Sequence, residues 1–297
     1  MYILVTDNEL SVKRKELSTL ITQVLRNYPM LCYFQGYHDI VQVLLLVLGE
    51  KKASIAVTKI SLFRIRDYML PSLTPAMKHL RLIPAIIKKV DPGLGWRLSA
   101  IQPFYGLAST LTLYAHDVED YDDIARLFDF LLAYEPVVSI YLFSAIILSR
   151  KKELLEIPID EPDILHVTLS KLPRPLDVEG LISFSLRLFN DCPPESLPSP
   201  AWKRIPPSSV LKTSRDIFED HTEKEAMELF AQQTRQLRNE ELREKSLQLA
   251  WRHRRAIGSV SLAILVAISS FWIRKKGLDA PIWSYMNQFK TVLRGYI

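Results

Sequence analysis

Apolar residues recur at helical spacing along most of this chain. Between residues 15 and 28, Leu17, Leu20, Ile21, Val24, Leu25 and Tyr28 follow the i, i+3, i+4, i+7 pattern of an amphipathic helix. Ser11 is read as its N-cap, and Pro29 forbids continuation. A second helix, about 39–48, is apolar on every side and ends at Gly49, a residue suited to close a helix in the left-handed conformation. Further helical patterns run through about 54–70, 75–90, 103–116, 121–133, 136–149, 163–171 and 178–189, punctuated by Pro71, Pro92, Pro136, Pro158 and Pro173. No stretch alternates with period two between hairpin turns, so the expected fold class is all-α. No internal repeat is evident.

The pattern changes after residue 192. Residues 193–207 carry six prolines in fifteen positions, which reads as an extended linker rather than a packed element. From there to Gly258 the chain has neither glycine nor proline and is rich in Glu, Lys, Arg and Gln, which predicts a solvated helix. Met227, Leu229 and Phe230 would give that helix at most a small docking face. Residues 256–273 then run for 18 positions without a charge, between Arg252-His253-Arg254-Arg255 and Arg274-Lys275-Lys276. At 1.5 Å per residue the stretch spans about 27 Å, enough for the thinner bilayers of the early secretory pathway. It is read as a transmembrane helix; a buried globular helix is the competing reading, and one seldom clamped by cations at both ends. Charge on both flanks leaves its orientation open. The N-terminus, MYILVTDNEL, is not a signal peptide, so insertion after synthesis with the preceding domain in the cytosol is expected.

Composition narrows the chemistry. The chain has 297 residues, 48% of them apolar, ample for a core. A net charge of +5 with no basic face is not a nucleic-acid signature. Cys32 and Cys192 make neither a disulfide framework nor a zinc pattern, and no cofactor or metal is expected. Asp120, Asp122 and Asp123 read as helix-capping residues, and His166 after Asp163 as helix-surface polarity. No nucleophile elbow, P-loop or dinucleotide fingerprint occurs.

One polar cluster stands apart: Tyr33-Phe34-Gln35-Gly36-Tyr37-His38-Asp39, which opens directly into the apolar second helix. From the residues alone, Gln35 and His38 are either capping and turn residues or part of a device that holds a side-chain amide at a fixed surface point. The stretch resembles the Y-x-Q-G-Y/M-x-D-[IL] motif of the TBC domain, found in GTPase-activating proteins for Rab/Ypt GTPases. Residues 126–136 (RLFDFLLAYEP) with 141–148 (YLFSAIIL) are similar to that family's later helix pair. Residues 160–166 (DEPDILH), Leu181-Ile182 and 193–197 (PPESL) are similar to the end of the domain, in particular in its endoplasmic-reticulum-anchored branch. The likeness covers about 10–202.

The resemblance implies a TBC-type multi-helix domain over 1–202, a linker and charged helix over 203–255, a membrane helix over 256–273 and a short tail over 274–297. It implies activation of a Rab/Ypt GTPase in its GTP form, in traffic between endoplasmic reticulum and Golgi, with Gln35 as a catalytic finger. Tyr33, Gly36, Tyr37 and Asp39 would contact the partner, Gly36 by letting the backbone approach it closely and the two tyrosines by packing the finger, unless they are core aromatics only. The domain would face the cytosol from the endoplasmic reticulum or early Golgi membrane. The family's arginine motif, I-x-x-D-x-x-R about forty residues before the glutamine, has no counterpart here. Neither Arg14 nor Arg26 has an aspartate three positions earlier, and the start of the chain falls just past the expected place. The alternative is therefore a non-catalytic, membrane-anchored module or scaffold that binds the GTPase or another partner.

Overall fold

The computed structural model describes residues 7–198, 200–216, 221–252, 265–272 and 275. Between residues 7 and 252 these residues form fourteen α-helices with short 3-10 turns and connecting loops, and no strand occurs among the described residues. In order they are α1 (Asp7–Asn27), α2 (Tyr37–Phe63), α3 (Thr74–Leu80), α4 (Leu82–Val90), α5 (Pro92–Leu98), α6 (Leu107–Leu111) and α7 (Tyr121–Ala133). There follow α8 (Val138–Ser149), α9 (Lys151–Glu156), α10 (Pro162–Leu169), α11 (Val178–Asp191), α12 (Ala201–Arg204), α13 (Val210–Thr213) and α14 (Glu223–Arg252). The chain divides into two units, 1–237 and 238–297.

The first unit is built around α8, ten of whose twelve residues are buried. Helices α11 and α4 pack against it, α5 against α4, and α1 against α2. α1 starts at Asp7, so Ser11 lies inside the helix and does not cap it; Asp7 and Glu9 in the first turn suit the positive end of the helix dipole. Gly49 does break α2, with φ 71° and ψ 164°, a conformation that side chains do not tolerate. The predicted 75–90 helix is two, α3 and α4, meeting at Arg81. The predicted 103–116 helix is a 3-10 turn followed by α6, and it stops because Leu113 (φ 51°) and Tyr114 (φ 68°) turn left-handed in succession. Two bulky residues in that region cost about 1–3 kcal/mol each. Burial of both, and a hydrogen bond from the Tyr114 hydroxyl to the Ser139 carbonyl at 2.7 Å, hold them there.

The region after residue 192 differs most from expectation. It is no extended linker: Leu197, Trp202, Ile205, Val210 and Leu211 are buried in the main core. Nor is α14 solvated throughout, because Ala226, Phe230, Gln233 and Leu237 form a buried stripe. Phe230 is thus core, and only Met227 of the supposed docking face is well exposed. The first unit therefore runs about 35 residues beyond the boundary expected at 202.

A buried polar network fastens this later segment. The fully buried Asp67 carboxylate accepts from Gln233 Nε2 (2.6 Å), the Val210 amide (3.1 Å), Ser209 Oγ and His79 Nε2 (2.9 Å). Arg66, equally buried, donates to Gln233 Oε1 (2.9 Å), to the Leu62 and Ser208 carbonyls (2.7 and 2.8 Å) and to Thr213 Oγ1 (3.2 Å). Burial alone would raise the Asp67 pKa, but the hydrogen bonds and charge of His79, with Ser209 and Gln233, hold it below the ordinary carboxylate value.

Most of the expected membrane span, 256–264 and 273, lies outside the described residues; 265–272 are helical. Among the described residues no helix is long and apolar enough to cross a membrane.

Candidate functional site

The chain passes from α1 to α2 through a short connection pinned at both ends. Leu31 and Phe34 are buried, and the Cys32 amide donates to the Met69 carbonyl at 2.8 Å. Phe34 packs at a tilt against Tyr37 and edge-on against Tyr68, making an aromatic floor. Gly36 is the residue before α2, with φ 101°. The Tyr37 amide donates to the Phe34 carbonyl and the Asp39 amide to the Gly36 carbonyl, both at 3.1 Å, so the turn around Gln35 is itself hydrogen-bonded.

Gln35 is exposed, between buried Phe34 and buried Gly36. Among the described residues no hydrogen bond engages its amide group, which leaves a donor and an acceptor free on one planar head. Tyr33, half exposed, stacks edge-on over Tyr37 at 6.1 Å and directs its hydroxyl to His38 Nδ1 at 2.9 Å. Burial and the charge of Asp39 push the Tyr33 hydroxyl up, so it keeps its proton. The Asp39 carboxylate stands between His38 Nε2 and His116 Nδ1, each at 3.2 Å.

Two of the expected partner contacts take other roles. Tyr37 is fully buried, with its hydroxyl 2.8 Å from Ser61 Oγ, and burial pushes that hydroxyl up to about 12. It has no exposed surface and forms the floor beneath Gln35. Gly36 serves an approach within this chain rather than to a partner. A Cβ there would lie 2.5 Å from Thr112 Cγ2, and the positive φ disfavours any side chain. Gly36→Ala is expected to cost about 1–3 kcal/mol of stability, read as a lower urea midpoint at unchanged slope. Tyr33 and Asp39 remain partly accessible beside Gln35.

Arg14 and Arg26 are exposed on α1. Asp120 alone caps α7, accepting from the amides of Asp122 and Asp123 at 3.0 Å. His166 meets the Tyr105 ring edge-on. Cys32 and Cys192 are free thiols. Asp67, His79 and Ser209 lie together but are no catalytic triad, since aspartate and serine both meet the same imidazole nitrogen, Nε2, and all are buried.

Sequence reasoning missed Thr112 and His116. Thr112 falls inside the expected 103–116 helix and His116 at its end, and nothing local announces that the chain turns back there toward Gly36 and Asp39.

The model of the Rab-GTPase-TBC domain matches residues 6–155, which contain this whole site. The chain belongs to the Rab-GTPase-TBC domain family. It is 36% identical over 231 residues to the GTPase-activating protein gyp10 of Schizosaccharomyces pombe, covering 76% of this chain and 62% of the relative. It is 34% identical over 209 residues to TBC1 domain family member 20 of Homo sapiens, covering 70% and 51%. The GTPase-activating protein GYP8 of Saccharomyces cerevisiae is 29% identical over 142 residues, covering 40% and 29%. The chain thus spans between about a third and two-thirds of the length of these relatives. In this TBC chain the compact unit extends to Leu237, well past the segment that the family model matches.

Proposed function

We propose that this chain is a GTPase-activating module for a Rab/Ypt small GTPase, which it engages in the GTP form, and that Gln35 is inserted as the residue that orients the attacking water. Hydrolysis by such GTPases is slow because the water is poorly held and the developing charge poorly stabilised. A neutral amide can accept from the water and donate to a phosphate oxygen at once, which a carboxylate cannot do. The observation that carries the reading is the Gln35 side chain itself: exposed, without an internal partner among the described residues, and mounted on a turn whose neighbours on both sides are buried. Reactive groups held on a rigid base need little reorganisation at the transition state.

Single-turnover GTP hydrolysis by a panel of GTP-loaded Rab proteins, with and without the full chain, tests this. Stimulation of at least one Rab is expected. Binding without stimulation would support the alternative, a non-catalytic binding module. Failure to bind any Rab would end the activator reading.

A finer proposal concerns location. The uncharged run 256–273, with arginines and lysines on both sides, supports anchoring in an early secretory membrane, endoplasmic reticulum or early Golgi, with the TBC unit in the cytosol. Leu265→Arg together with Ala267→Asp is expected to release the protein on carbonate extraction, since each charge costs about 2.5–3.5 kcal/mol at a helix centre. Wild type washed off the membrane, or the double variant retained, would contradict it.

A further inference from the structure

We infer that the turn at residues 112–116 is the positioning element of the Gln35 finger, and that His116 is its principal contact. The inference rests on the reading of Gln35 given above and adds a residue to it. Four observations converge. The Gly36 backbone lies under the Thr112 methyl so closely that no side chain fits between them. The His116 Nδ1 is 3.2 Å from Asp39 Oδ2. The other Asp39 oxygen faces His38 Nε2, and His38 Nδ1 meets the Tyr33 hydroxyl. Finally, the turn reaches this place only by holding Leu113 and Tyr114 left-handed, a backbone feature that surrounding packing must sustain.

The Tyr33 hydroxyl and His38 Nδ1 share one hydrogen bond, in which either can donate, while His38 Nε2 meets Asp39 at ion-pair distance only. A carboxylate can only accept, so in its hydrogen bond with Asp39 the His116 Nδ1 carries the hydrogen. Tyr33, His38, Asp39 and His116 therefore form one chain of contacts that brackets Gln35, from two residues before it to four residues after it, and ends on a separate part of the fold. Thr112 presses on the same turn from above and is itself tied down, donating to the Ala108 carbonyl at 2.8 Å and accepting from the His116 amide at 3.3 Å. His116 is not placed at the reacting atoms. It acts by limiting the orientations that the Gln35 turn samples, so its loss should lower turnover and leave docking unchanged.

Two readouts on the full chain test this. In the free protein, His116→Ala should speed hydrogen exchange of the Tyr37 and Asp39 amides about five- to tenfold, the range expected for losing one partly exposed charge-assisted hydrogen bond. The amides of α8 should be unaffected. His116→Asn, whose side-chain N–H occupies the place of Nδ1–H, should restore both rates to within about twofold. With a GTP-loaded Rab that the chain stimulates, His116→Ala should lower the saturating hydrolysis rate by a similar factor at an unchanged half-saturating concentration. It should do nothing further in a Gln35→Ala background. Unchanged exchange at Tyr37 and Asp39, equal acceleration in α8, no rescue by asparagine, or additive effects of the two alanines would each overturn the inference. If Gln35→Ala alone leaves hydrolysis intact, the finger reading falls, while the exchange measurement still decides whether His116 orders the turn.

Discussion

A chain cut after Trp202 is expected to lose its cooperative unfolding transition, whereas one cut after Leu237 keeps it. The shorter chain removes Ser208, Ser209, Val210, Thr213 and Gln233, and with them most partners of the buried Arg66 and Asp67. It also uncovers the core against which Ile205, Val210, Leu211, Ala226 and Phe230 pack. Breaking a buried charged network by removing one side costs about 3–5 kcal/mol, a large share of the roughly 5–15 kcal/mol that stabilises a domain. Asp67→Ala in the chain ending at 237 isolates the electrostatic part and should lower stability by about 3–5 kcal/mol, measured by urea unfolding. Because the folded pKa of Asp67 is depressed, its contribution is present above the unfolded carboxylate value of about 3.9 and is lost as pH falls below it. A chain ending at 202 that unfolds as sharply as the longer one would refute the integral role of the later segment.

Gln35→Ala is expected to lower the stimulated GTP hydrolysis of a responsive Rab by about 10²–10³, the usual consequence of removing one pre-positioned hydrogen-bonding group from a transition state. The melting temperature should move by less than about 2 °C, because the side chain is exposed and engages no described residue. The contrast with Gly36→Ala is diagnostic. Under the proposed function one position serves chemistry and the other the shape of the turn, although they are adjacent.

How far the sequence carried this account can be seen residue by residue. Helix α7 has the predicted limits because its apolar periodicity, its aspartate cap and the following Pro136 all agree. Gly49 was legible because only glycine tolerates the backbone it adopts there. Family likeness alone singled out the Gln35 motif; the residues themselves left open whether Gln35 caps a turn or stands at the surface, and the structure shows it exposed. The prolines of 193–207 misled, since several begin or flank short turns whose apolar neighbours are anchored in the core. The buried stripe of α14 is narrow and includes Gln233, so averaging over the helix hides it. Thr112 and His116 escaped for a different reason. Their role depends on two left-handed residues, Leu113 and Tyr114, whose conformation is imposed by tertiary packing rather than by residue type.

The central claim is that Gln35 contributes to the transition state and not merely to docking. Affinity of the chain for one responsive Rab in three states tests it most directly: bound to GDP, to a non-hydrolysable GTP analogue, and to GDP with aluminium fluoride as a mimic of the transferring phosphoryl group. Wild type should bind the aluminium fluoride form tightest, and Gln35→Ala should remove that extra affinity while leaving binding to the GTP analogue within about twofold. An undiminished preference for the aluminium fluoride form in Gln35→Ala would contradict the account.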